Sequence, residues 1–69
     1  MPRYPIVIEH GPNSYSAYAP DAPGCVAAGA TRDDVTKRMT EALKLHFEAL
    51  RADGQSIPEP GISDTYVEI

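Results

Sequence analysis

Apolar residues alternate at the start of the chain, recur every third or fourth residue through its middle, and alternate again near its end. Residues 4–9 read Tyr-Pro-Ile-Val-Ile-Glu, a run rich in β-branched side chains, and the alternation puts Tyr4, Ile6 and Ile8 on one face of a strand. Pro5 removes a ladder donor, so it belongs among the strand's first residues or opposite a gap in the pairing. His10-Gly11-Pro12-Asn13 is a turn, and residues 14–19 form a second strand that closes a hairpin. Pro20-Asp21-Ala22-Pro23-Gly24 interrupts the pattern. A short third strand over residues 25–28 follows and ends at Gly29.

The period then changes. Val35, Met39, Leu43, Phe47 and Leu50 are spaced to share one face of a helix, and Ala42, Leu45 and Ala49 widen it. Thr31 is placed as N-cap with Asp34 three residues on, and Asp33 and Asp34 suit the positive end of the helix dipole. Asp53-Gly54 supplies the stop. A connection rich in proline and glycine, residues 55–63, leads to a last strand, residues 65–69. The predicted fold is α+β in the order β-β-β-α-β: a three-stranded antiparallel sheet, one helix and a final strand. The crossover through the helix would be right-handed if the third and fourth strands were parallel. A single helix covers one sheet face only, and Val7, Tyr18 and Val26 are too apolar to leave the other face to water alone.

Sixty-nine residues make one domain with a thin core. A lone cysteine allows no internal disulfide, and Cys25, His10 and His46 lack the spacing of a zinc site, so self-association is the expected remedy and no cofactor or metal is expected. Ten acidic residues against six basic ones give a net charge of −4, which disfavours nucleic acid and favours a basic partner. The apolar runs are far too short for a membrane span, and residues 1–5 carry no export signal, so a cytoplasmic protein is expected.

Three stretches resemble one family. Residues 15–25 (Tyr-Ser-Ala-Tyr-Ala-Pro-Asp-Ala-Pro-Gly-Cys), residues 29–35 (Gly-Ala-Thr-Arg-Asp-Asp-Val) and residues 50–60 (Leu-Arg-Ala-Asp-Gly-Gln-Ser-Ile-Pro-Glu-Pro) are similar, in order and spacing, to those of the HicB-like antitoxins. The resemblance implies a truncated ribonuclease-H-like fold, homodimers or higher oligomers, and the binding of a small basic RNA-cleaving toxin of the HicA type. Many members carry a further DNA-binding domain. This sequence stops after its last expected strand, so no direct nucleic-acid binding by this chain alone is expected.

Ribonuclease H chemistry needs clustered carboxylates on metal ions. Glu9 ends a strand, Asp21 sits in a loop, and Asp33 and Asp34 begin a helix, so the fold is expected without the enzyme. Cys25 has no local base and reads as a small buried apolar residue. Tyrosine is enriched at binding surfaces, which nominates Tyr15 and Tyr18 on the second strand as toxin-binding anchors, with Asp21 as a charge partner for a toxin lysine or arginine. A tight chain reversal by itself explains Pro23 and Gly24. A toxin-independent scaffolding domain and, more remotely, a minimal metal-dependent nuclease built on Glu9, Asp21 and Asp34 are the competing readings.

Overall fold

The computed structural model describes residues 2–69. Its elements are β1 (Arg3–His10), β2 (Tyr15–Tyr18), β3 (Val26–Gly29), α1 (Arg32–Ala52) and β4 (Thr65–Glu68). They form one four-stranded sheet in the order β3-β2-β1-β4, with every neighbouring pair antiparallel. The element order is the expected one. β4 joins β1 at the edge opposite β3 and runs against it, so β3 and β4 point in opposite directions and the condition for a right-handed parallel crossover does not arise. The connection is why. After α1, residues 53–64 turn back past the end of the sheet, held where the Tyr4 hydroxyl donates to the Pro58 carbonyl (2.6 Å) and the Gly61 N–H donates to Asp21 (2.9 Å). The chain therefore enters β4 running in the same sense as the helix.

β1 is paired with β4 over Arg3–Ile6 and with β2 over Val7–His10. The bond from the Ile69 N–H to the Pro2 carbonyl (3.0 Å) sets the alternation: Tyr4 and Ile6 aim their backbone groups at β4, Pro5 aims away. On that side β2 pairs no further than Val7, so the missing N–H of Pro5 falls opposite a gap in the ladder. His10, expected in the turn, is the last residue of β1, and its ring stacks on Tyr15 with centroids 4.3 Å apart. β2 and β3 are a residue shorter at the connecting end than the pattern suggested. The Ala19 N–H donates to Cys25, Ala22 to Ala19, and Cys25 to Ala22, which makes those residues a double turn, with Gly24 at φ +87°.

α1 lies against one face of the sheet. Val35, Met39, Leu43 and Phe47 are buried with Tyr4, Ile6, Ala17, Ala19, Ala22, Cys25 and Val67, and Leu50 packs at the margin. Thr31 Oγ1 accepts the Asp34 N–H (3.0 Å), so the cap is the expected one. At the other end the Gln55 N–H reaches Leu50 and the Gly54 N–H reaches Arg51, a Schellman closure with Gly54 at φ +72°. Between β3 and α1, Gly29 lets the backbones meet: a Cβ there would lie 2.9 Å from the Val35 nitrogen.

Candidate partner-binding surface

The sheet face turned away from α1 is built by the side chains that alternate with the core set. The registers align them in rows: Val7–Tyr18–Val26 across β1, β2 and β3, then Glu9–Ser16–Ala28 on one side, and Pro5–Tyr66 and Arg3–Glu68 on the other. Tyr18 is 43% exposed and Val26 66% exposed, in keeping with a face too apolar for water alone. The Arg3 guanidinium lies 5.2 Å from the Tyr66 ring centre, and the Tyr66 hydroxyl accepts the Ser63 N–H (3.0 Å). The face thus carries an apolar row flanked by Glu9 and Glu68. Pro5 is the exception, being fully buried although it points away from the helix.

The three nominated residues do not converge. Tyr18 stands on this open face. Tyr15 has the opposite parity in β2, is half-buried, and packs on the helix side beside His10. Asp21 lies beyond the far end of β2, half-buried, with its carboxylate accepting the Gly61 N–H. That tie is invisible in the sequence, because it joins residues 40 positions apart. Tyr66, another tyrosine that composition offers as an anchor, stands on the open face too, and only the β1–β4 register reveals it as a neighbour of Pro5.

The carboxylates are equally dispersed. Glu9 is opposite Ser16 at one end of β2, Asp21 lies past the other end, and Asp34 sits in the first turn of α1. Among the described residues no three of His, Cys, Asp and Glu are grouped to hold a metal. Cys25 is buried, and burial pushes its thiol up from the ordinary value, which leaves it a poor nucleophile. His46 sits at the margin of the buried helix face, edge-on to Phe47 (5.8 Å). A concavity runs between the C-terminal half of α1 and the β4 side of the sheet, floored by Tyr4, Phe47, Ile57 and Ile69 and rimmed by Lys44, Glu48 and Arg51. No described helix is long and apolar enough to cross a membrane.

The family model for the HicB-like antitoxins of bacterial toxin–antitoxin systems matches residues 4–68. The chain belongs to this family. The antitoxin HicB3 crystal structure superposes with a TM-score of 0.80 at 31% identity, over 97% of this chain and 61% of that one. A chain of the HicA3–HicB3 toxin–antitoxin complex superposes with a TM-score of 0.71 at 38% identity, over 88% of this chain and 71% of that one. A 14.9 kDa protein from the rep-hol intergenic region of Haemophilus phage HP1 is 33% identical over 64 residues, 93% of this chain and 48% of its own length. This HicB-like chain spans about half the length of the curated relatives it matches.

Proposed function

We propose that this HicB-like domain is the antitoxin of a toxin–antitoxin pair, and that it neutralises a small, basic, RNA-cleaving toxin of the HicA type by covering the toxin's active surface. The observation that carries the reading is the likeness to a chain of the HicA3–HicB3 complex at 38% identity over 88% of this chain. The charge of −4 supports it, since a protein shaped to hold RNA phosphates presents the opposite sign. Such complementarity speeds encounter more than it sets affinity. Affinity comes from a few desolvated anchors, and Tyr18, standing on the open sheet face between Val7 and Val26, is the best placed of the nominated residues. Tyr15 contributes from the other face of β2, near the β1–β2 turn. Asp21 contributes charge while its Gly61 bond holds the loop. In this reading residues 1–69 do no catalysis, bind no nucleic acid unaided, act in the cytoplasm, and pair with a second copy of themselves.

The test is co-expression with a HicA-type toxin, taken from beside this chain's own gene where one is encoded there, scored by growth. The wild-type chain restores growth. Tyr18→Ala weakens rescue at least tenfold in inducer requirement, with an unchanged circular dichroism spectrum. For the loop, Asp21→Asn is the informative change, because it removes the charge and keeps an oxygen for the Gly61 N–H. Absence of rescue by the wild-type chain rejects the antitoxin reading for that pair, and full rescue by both variants moves the toxin contact off this surface.

A further inference from the structure

We propose that the free edge of β4, with the groove between it and the C-terminal half of α1, binds an extended peptide of a second protein, a segment of the pattern acidic-x-apolar-x-acidic that adds a fifth strand to the sheet. This goes beyond the toxin reading. The surface lies on the helix side of the sheet, away from the open face, and its chemistry suits an acidic segment where a HicA-type toxin is basic.

The backbone is the first observation. The Ile69 N–H donates to Pro2, so Thr65, Val67 and Ile69 aim their backbone groups at β1, while Tyr66 and Glu68 aim theirs outward. β4 is the last strand on its side of the sheet, and among the described residues no other segment's backbone bonds to these outward groups. Two antiparallel residues of a peptide satisfy them. Residues opposite one another in a ladder share a face, so those two peptide residues point to the open face and the ones alternating with them point toward α1. Main-chain bonds to an edge give such a peptide its affinity, and pockets for alternate side chains give its specificity.

The groove is the second observation. Tyr4, Phe47, Ile57 and Ile69 form its floor. Its volume is about 310 Å³, at the small end of the ~300–1,000 Å³ of ligand pockets, so it suits one large apolar side chain. Lys44, Glu48 and Arg51 stand exposed along its rim, successive turns of one helix flank. Lys44 and Arg51 are ~10 Å apart along the helix axis, and residues i and i+4 of an extended peptide ~13 Å, a difference that two long side chains absorb. Carboxylates at peptide positions one and five therefore meet Lys44 and Arg51. Glu48, between the two cations, repels an acid at position three and leaves it to the apolar residue. The net charge of −4 does not cancel this local pattern, because charges more than ~8 Å away are largely screened at physiological salt. The same rim opposes a second copy on this edge. Two β4 strands paired about a two-fold axis would lay the two helix flanks antiparallel, with Lys44 of each near Arg51 of the other and the two Glu48 side chains between them.

NMR titration of the isotopically labelled chain with the peptide acetyl-Ser-Glu-Thr-Leu-Thr-Glu-Ser-amide, at physiological salt, tests the site. The amide signals of Tyr66 and Glu68 shift saturably, and their hydrogen exchange slows. Replacing both peptide glutamates by lysine, or N-methylating its two threonines, lowers affinity at least tenfold. In the chain, Lys44→Gln with Arg51→Gln lowers it at least fivefold with an unchanged circular dichroism spectrum. Arg32→Gln with Arg38→Gln, an equal change of net charge elsewhere on α1, leaves it within twofold. No saturable shift at ~1 mM peptide, or shifts confined to β3 or the open face, overturns the proposal. Equal weakening by the two double variants overturns it as well, since the rim would then contribute nothing specific. Movement of the Tyr66 and Glu68 signals on concentrating the chain without peptide assigns the edge to a second copy and likewise overturns it.

Discussion

Gly29→Ala is the sharpest probe of how the sheet and helix meet. The added methyl would lie 2.9 Å from the Val35 nitrogen and 3.0 Å from Asp34 Cβ, both at the start of α1. Backbone cannot rotate aside as a side chain can, so the first turn must lift from β3 or the strand must bend. Overpacking of this sort costs ~1–3 kcal/mol. Replacing glycine returns ~0.5–1 kcal/mol through the unfolded chain, because alanine has less conformational freedom to lose. The net is a destabilisation of about 1–2 kcal/mol, against a total of roughly 3–10 kcal/mol for a domain of this length. With a urea slope of ~1 kcal/mol per molar for so small a chain, the midpoint falls by about 1–2 M. The control is Gly11→Ala, where the nearest atom to the new methyl is the Ser14 oxygen at 3.5 Å, an ordinary contact. Its midpoint moves little. Equilibrium urea unfolding by circular dichroism, at one protein concentration for all variants, reads both. A Gly29→Ala midpoint equal to or above wild type, with unchanged slope, would refute the close approach of β3 and α1.

Three further outcomes follow from named contacts. Thr31→Ala removes the oxygen that accepts the Asp34 N–H and costs ~1 kcal/mol, readable in the same urea titration, whereas Thr31→Ser keeps most of the stability. Tyr4→Phe deletes the 2.6 Å bond to Pro58 while keeping the ring packed on Phe47, so ~0.5–1.5 kcal/mol is lost and limited proteolysis within residues 55–63 accelerates; equal cleavage rates would show that the bond does not hold the connection. Cys25 reacts slowly with iodoacetamide in the folded chain and quickly in denaturant, and its native pH–rate profile is displaced upward because burial disfavours the thiolate; a native profile at the ordinary thiol position would contradict that burial.

The helix was legible almost to the residue, because its signals are local: a cap three residues from its donor, an apolar spacing confined to one element, and a glycine stop. Tyr4, Ile6 and Ile8 were assigned to the core face by alternation alone, and they pack there. What alternation cannot supply is the order of strands in the sheet. Nothing in Thr65–Glu68 says that it pairs with Arg3–Ile6 rather than with β3, since that depends on how residues 53–64 turn, and their turn depends on the long-range bonds from Tyr4 and Asp21. The nominated residues are scattered for two different reasons, one local and one long-range. Tyr15 and Tyr18 are three apart in sequence, and an odd separation in a strand puts them on opposite faces. Asp21, nominated as a charge partner for a toxin lysine or arginine, has a carboxylate that also accepts the N–H of a glycine far along the chain.

The divided pairing of β1 gives one strand two lifetimes. Its second half is closed to β2 by a four-residue turn, residues 11–14, whereas its first half waits for a strand that lies beyond an intervening stretch of 58 residues, 7–64. With α1 still packed on the sheet the loop that β4 closes is residues 53–64, and by the logarithmic growth of loop entropy that longer closure is dearer by roughly 1 kcal/mol. Opening of β4 is therefore the cheaper fluctuation, and in antiparallel alternation it frees the amide protons of Tyr4 and Ile6 while those of Val7 and Glu9 remain bonded to β2. Hydrogen exchange would divide this single strand between Ile6 and Val7. A binder gripping β4 would slow the first pair alone, and one gripping β2 the second, so β1 can report which edge of the sheet a partner has taken hold of.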